Sequence, residues 1–405
     1  MKKFNKFLSV AVASAMVMAM AGCGNPDNGS AATGTNAATE SAAASASAAS
    51  GSVFKIGGIG PTTGGAAVYG LAVQHGAEIA VEEINAAGGI NGYQVEFKFQ
   101  DDEADAEKSV NAYNALKDWG AQILDGSTTS GACIAVTDKT KEDNMFQITP
   151  SGSAVECVQY DNNFRVCFSD PNQGLASAQY IGENGLAEKI AVIYDSSDVY
   201  SSGIYEKFAK EAENQPFEIV AAEAFTADNK TDFSVQLQKA KDAGADMVFL
   251  PIYYQESALI LTQAAAMGYA PKWFSCDGMD GILGGVDNFD VSLTEGVMLL
   301  TPFAADATDD LTQSFVTKYT EKYGDTPNQF AADSYDAIYV IKAAIEKSGV
   351  TPDMSVSDIC DGMKAAMTEI TVDGLTGNGM TWTADGEANK APKAVVIENG
   401  AYKAM

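Results

Sequence analysis

The chain has 405 residues, 46% of them apolar, with 54 acidic side chains against 25 basic ones and a formal charge of −29. That balance argues against nucleic acid as a partner, because phosphate binding needs clustered Lys and Arg, and against a basic patch gripping anionic lipid. One histidine, and six cysteines without a CxxC pair or Cys/His cluster, argue against a structural zinc site and a histidine-based catalytic triad.

The chain opens with Lys2, Lys3 and Lys6, an apolar run from Phe7 to Met20, then the small Ala21 and Gly22 before Cys23. A basic start, a short apolar core and a small-residue cleavage point predict an export signal over residues 1–22. The run is shorter than the ~20 residues that cross a bilayer. Met20-Ala21-Gly22-Cys23 resembles the bacterial lipobox, in which cleavage leaves the cysteine as a lipid-bearing N-terminus; the plainer alternative is a secretory signal with a chance cysteine. Residues 23–52 then read as lipidated Cys23 on a flexible Gly/Ser/Ala linker, since ordering such a stretch costs entropy and buries nothing. The expectation is an extracytoplasmic protein, lipid-anchored to the bacterial cell membrane.

The remainder alternates strand and helix. Val53–Gly60 is a strand entering the turn Pro61–Gly65, followed by a helix over Val68–Ala87 that Gly88-Gly89 stops. Strand Tyr93–Gln100, helix Ala106–Trp119, strand Gln122–Leu124, helix Gly131–Glu142 and strand Met145–Ile148 continue the pattern. It resumes with helix Asn172–Asn184, strand Lys189–Tyr194, helix Tyr200–Glu213 and strand Phe217–Ala222. Helix Asp232–Ala243, strand Met247–Leu250, helix Gln255–Met267 and strand Lys272–Ser275 complete a second set. Alternation of this kind implies parallel sheets covered on both faces, so the fold class is α/β with two doubly wound Rossmann-like lobes, ligands lying at the carboxyl ends of strands. Cys157 and Cys167 flank the turn-like Tyr160-Asp161-Asn162-Asn163; they close a small hairpin disulfide in an oxidising compartment, or remain buried thiols.

Enzyme signals are sparse. His75, inside the first long helix, reads as a surface or packed helix residue. Gly58 and Gly60 follow a strand, but Thr63 occupies the last glycine position of GxGxxG, and no GxxxxGK occurs. The acidic run Asp101–Asp105 is not an EF-hand loop, because its twelfth position is Ala112; acids leading into a helix explain it. No catalytic residue, metal or cofactor is expected.

Ile56-Gly57-Gly58-Ile59-Gly60-Pro61 with Thr63-Gly64, then Ile84–Gly92 and Gln100-Asp101-Asp102, resembles the opening of the solute-binding proteins that serve branched-chain amino acid importers of the ATP-binding cassette type. The resemblance continues through Gly126–Gly131, Ile148–Ser153, Phe164–Phe168 with Asp170, Tyr194-Asp195, and the closing Met380-Thr381-Trp382, Asp385-Gly386 and Lys390. It implies a type I periplasmic-binding fold: lobe 1 from residues 53–169 and 303–377, lobe 2 from 170–302 and 378–405, joined by a three-strand hinge and closing on a ligand. Permease and ATPase subunits are the implied partners, and the chain is expected to be monomeric.

A free amino acid brings a carboxylate, an ammonium and a side chain. The loop Gly126–Gly131 between strand and helix offers backbone N–H groups, hydroxyls and a helix N-terminus for the anion. Ser130, with Ser153 and the backbone around Gly152 opposite, are the expected carboxylate binders; the alternative for Ser130 is a plain helix cap. The resemblance places Asp277, or failing that Asp280, at the ammonium. It also implies Tyr69 and Tyr200 as cleft tyrosines, with Tyr253 or Tyr254 at a strand end and Thr128 and Thr129 setting pocket size. A branched-chain amino acid is the expected ligand. The rivals are another small solute on the same fold (an amide, a polyamine or an aromatic acid), a sensory receptor, and an extracellular enzyme.

Overall fold

The computed structural model describes residues 51–405; the expected export signal, Cys23 and all of the expected linker but Gly51 and Ser52 lie outside the described residues. The chain runs β1 (Phe54–Gly60), α1 (Ala67–Ala86), β2 (Val95–Asp101), α2 (Ala106–Trp119), β3 (Ile123–Asp125), α3 (Ser130–Asp143), β4 (Phe146–Thr149) and β5 (Asn163–Arg165). It continues through α4 (Asp170–Glu183), β6 (Lys189–Asp195), α5 (Val199–Ala212), β7 (Glu218–Phe225), α6 (Ser234–Asp242), β8 (Met247–Leu250), α7 (Tyr254–Ala266) and β9 (Lys272–Ser275). The last elements are β10 (Met298–Thr301), α8 (Asp310–Tyr323), α9 (Gln329–Ser348), α10 (Val356–Met367), β11 (Lys393–Glu398) and β12 (Ala401–Ala404).

Local chemistry sets many of these ends. The Asp105 side chain accepts Lys108 N–H at the start of α2, and Gly120, at φ 93°, closes it. Asp105 thus ends the acidic run as a helix cap, while Asp101 accepts Thr62 N–H and the Thr63 hydroxyl. Helix α4 begins at Asp170, two residues before the expected Asn172, because Pro171 in a first turn loses only an N–H that the turn leaves free.

The strands form a five-stranded parallel sheet in the order β2-β1-β3-β4-β5 and a seven-stranded sheet in the order β12-β11-β10-β9-β8-β6-β7. In the second sheet β6 to β10 run parallel, and the β11–β12 hairpin adds to β10 antiparallel. Each parallel order reverses direction once, between β1 and β3 and between β6 and β8. Those reversals open crevices at the carboxyl ends of the strands. Helices α1 and α9 pack closely: a Cβ on Gly76 would stand 2.0 Å from Ala331 O. Isolated antiparallel bridges join Val372 to Met380 and Trp382 to Ala388 in the expected closing segment.

Of the two alternatives for Cys157 and Cys167, the structure has the buried thiols: the five cysteines among the described residues are free and buried. The turn at Tyr160–Asn163 leads into β5, which pairs parallel with β4 and is no arm of a hairpin. A 3-10 turn over Val155–Val158 swings Cys157 toward α3 instead, where it clusters with Cys133 and Ala154.

Candidate functional site

Loops from both sheets converge on a cavity of about 20 Å³. Tyr69 on α1, Thr128 and Ser130 after β3, and Ser153 after β4 face Tyr200 on α5, Tyr253 after β8 and Asp277 after β9. Thr129, Ser151, Gly278 and Phe330 complete the wall. About one water molecule would fill so small a space, so the walls stand closed on one another. A wider cavity of about 340 Å³ shares Thr129 and Tyr253 and is bordered by Glu103, Asp195, Asp198, Glu256 and Lys230.

Gly152 does not line the small cavity. Its N–H donates to Thr149 Oγ1 at 2.8 Å and its carbonyl accepts from Arg165, so both backbone groups are engaged behind the wall and Ser151 takes that place. Arg165 is fully buried and its guanidinium also reaches the carbonyls of Ser153, Ala154 and Val155. It holds the loop after β4 in one shape.

One side of the cavity presents hydroxyl protons. Ser130 opens α3, and its Oγ accepts the N–H groups of Ser153 at 3.2 Å and Ala154 at 3.1 Å, leaving its proton to donate. Thr129 Oγ1 and Ser153 Oγ are buried without partners. Thr128 directs its hydroxyl to Ile59 O at 3.2 Å and contributes its methyl group and backbone.

The opposite side presents an acceptor. Asp277 Oδ1 takes the Tyr200 hydroxyl at 2.6 Å, and Oδ2 takes Gln173 Nε2 at 3.0 Å. Burial pushes its carboxyl up from 3.8 to about 7; the Tyr200 hydrogen bond works the other way, and the Asp333 charge adds to the rise. Asp280 faces elsewhere, its Oδ2 accepting the Gln329 N–H at 2.9 Å. Tyr69, Tyr253 and Phe330 line the space between the polar sides: the Tyr69 ring lies 4.3 Å from Phe330 and 5.4 Å from Tyr253, which stacks on Tyr200 at 5.0 Å. Tyr254 is packed edge-on behind Tyr69 and donates its N–H to the Tyr69 hydroxyl at 3.2 Å. His75 stacks on Tyr323 at 3.6 Å and lines neither cavity.

Sequence reasoning missed Phe330, Gln173 and Gln329. Gln173 lies one helical turn after Asp170, but Phe330 and Gln329 carry no local pattern that points to a cavity so far back in the chain. Donors on one wall, a carboxyl opposite and aromatic rings between suit a small molecule with an anionic end, a cationic end and an apolar part.

Known proteins share this chain's pattern. The periplasmic binding protein family matches residues 53–401. Leu/Ile/Val-binding protein homolog 3 of Brucella melitensis is 31% identical over 300 residues, 74% of this chain and 80% of that protein. The leucine-, isoleucine-, valine-, threonine- and alanine-binding protein of Pseudomonas aeruginosa is 30% identical over 302 residues, 73% of this chain and 78% of its own length. Among solved structures, the branched-chain amino acid transporter substrate-binding protein of Streptococcus pneumoniae in complex with isoleucine superposes with a TM-score of 0.78 at 29% identity, covering 87% of this chain and 98% of that one. A leucine-binding protein from Thermotoga maritima gives a TM-score of 0.77 at 27% identity with the same coverage. The chain belongs to the periplasmic binding protein family.

Proposed function

We propose that this chain is the extracytoplasmic receptor of an ATP-binding cassette importer. It captures an amino acid, most favourably a branched-chain one, between residues 53–169 with 303–377 and residues 170–302 with 378–405, and delivers it to the permease. Asp277 facing the hydroxyl wall across the aromatic rings is the observation that carries this reading. The ammonium pairs with Asp277. The carboxylate accepts hydrogen bonds from the Ser130 and Thr129 hydroxyls at the N-terminus of α3. Tyr69, Thr128, Tyr253 and Phe330 surround the aliphatic side chain. Ligand preference for the closed form shifts an open–closed equilibrium, and no bond is made or broken. Cys23 carries the lipid that tethers a monomeric receptor to the outer face of the membrane.

A thermal-shift screen of the chain from residue 53 against the common amino acids, after unfolding and refolding to remove carried ligand, tests this. A ligand at about a hundred times its dissociation constant adds roughly 2.7 kcal/mol. A shift with leucine, isoleucine or valine supports the reading, and a shift with no amino acid overturns it. Asp195, Asp198 and Glu256 along the wider cavity favour a second reading, a polyamine or another solute with more than one cationic group, and the same screen with spermidine separates the two.

A further inference from the structure

Asp170, the first residue of α4, is a buried carboxyl. It is 1% exposed, neither of its oxygens meets a donor at full hydrogen-bond geometry, and the Ser153 hydroxyl is the one side-chain donor that acts on it. Its backbone N–H donates to Ser153 O at 2.9 Å, which sets it behind the cavity wall, and Ser153 Oγ, on that wall, has no well-formed hydrogen bond either. Helix α5 passes on another side: a Cβ on Gly203 would stand 3.3 Å from Asp170 Oδ2. The charged and titratable groups that act on it are Asp277 after β9, Asp198 before α5, Arg165 in β5, Tyr253 after β8, and the thiols of Cys157 and Cys276. Among these only Arg165 is a cation, and it is engaged with the carbonyls of residues 152–155.

A buried carboxyl without a well-formed hydrogen bond is costly, and in native folds such a group marks strain, catalysis or a site that a water, an ion or a ligand completes. The N-terminus of α4 favours its negative charge but gives it no hydrogen bond. We propose that Asp170 is a second acidic partner of the ligand's ammonium, acting with Asp277 and reaching the ammonium through Ser153. Ser153, expected from the sequence to face the carboxylate, then accepts from the ammonium and donates its own proton to Asp170. The inference rests on the amino acid reading given above and extends it: the site selects for a cationic group with two carboxyls, so solutes without one are rejected more strongly than Asp277 alone would reject them.

The test is a double-mutant cycle on the full chain, reading L-leucine affinity by calorimetry in wild type, Asp170→Asn, Asp277→Asn and the double variant. Each single change is expected to weaken binding by about tenfold or more, and the double by clearly less than the product of the two. An Asp170→Asn protein that binds L-leucine within about twofold of wild type overturns the proposal, as do losses that multiply in full, since Asp170 would then act away from the ammonium. If Asp170→Asn does not fold, Ser153→Ala decides in its place: unchanged L-leucine affinity overturns the proposal, and a loss that shrinks in the Asp277→Asn background supports it. A wild-type chain that binds no amino acid overturns the amino acid reading itself, and this inference with it.

Discussion

Tyr69 and Gly278 meet across the cavity: the phenol on α1 donates to the carbonyl of Gly278 in the loop after β9. The same oxygen accepts the Tyr254 N–H at 3.2 Å, so one hydroxyl ties a helix packed on the first sheet to two loops of the second. A buried carbonyl left without its donor costs about 1–3 kcal/mol. Part of that cost falls on the closed form alone, because opening lets water reach Gly278. Tyr69→Phe is therefore expected to weaken L-isoleucine binding by about three- to tenfold while changing the urea midpoint little. Titration calorimetry and urea denaturation of the same variant read the two effects separately.

Removing the carboxyl opposite has a larger effect. Asp277→Ala is expected to weaken amino acid binding by well over tenfold, since a buried ammonium would lose its charged partner. Unchanged affinity would remove Asp277 from the site.

The elevated Asp277 carboxyl sets a pH dependence. Its folded value near 7 lies above its ordinary 3.8, so between those values the folded, ligand-free protein binds more protons than the unfolded chain. Asp277 therefore contributes stability at low pH that is lost as pH rises through about 7. An ammonium favours the ionised carboxyl, so binding releases a proton, and affinity is expected to rise from pH 5 to about 7 and then level off. Tyr200, Gln173 and the carboxyls of Asp170 and Asp333 face the same group, and Asp333 is itself raised to about 6, again by burial first. Affinity measured against pH should flatten in Asp277→Asn; an unaltered profile would assign the proton elsewhere.

Lys390 sits where the chain passes back from the first sheet's helices toward the second sheet. Its ammonium is buried against Asp333 at 2.7 Å, Thr376 Oγ1 at 2.5 Å and Val166 O at 3.1 Å. Breaking a buried pair by removing one partner costs about 3–5 kcal/mol. Lys390→Met should lower stability by that amount, read from the urea midpoint. A change under about 1 kcal/mol, the range of a surface pair, would mean that Asp333 is discharged there.

Much of the α/β pattern was legible from period and punctuation. Helix α1 is apolar on the face that packs, Gly88-Gly89 follows its end, and the short strand around Val248 is a continuous apolar run. Asn399 and Gly400, at φ 52° and 73°, make the two-residue turn of the β11–β12 hairpin, and that dipeptide was a signal left unread. The hydroxyl-bearing loop after β3 was legible as a helix start because loop and helix are adjacent in the chain. Cys157 and Cys167 stayed undecided for the complementary reason: nearness in sequence does not fix which way a 3-10 turn points.

The sequence by itself determined the elements and the strand-to-helix loops that carry hydroxyls, because both depend on residues within a few positions of one another; Asp277 after β9 was singled out only by the resemblance to a family. Only the tertiary structure decided that Phe330 reaches the cavity while Gln329 braces the Asp277 carbonyl behind it, that Gly152 stands behind Ser151, that Asp280 turns to α9, and that Asp170 lacks a well-formed hydrogen bond. Those outcomes depend on sheet order and helix crossings, such as α1 against α9 at Gly76, which bring together residues hundreds of positions apart and leave no local trace in the chain.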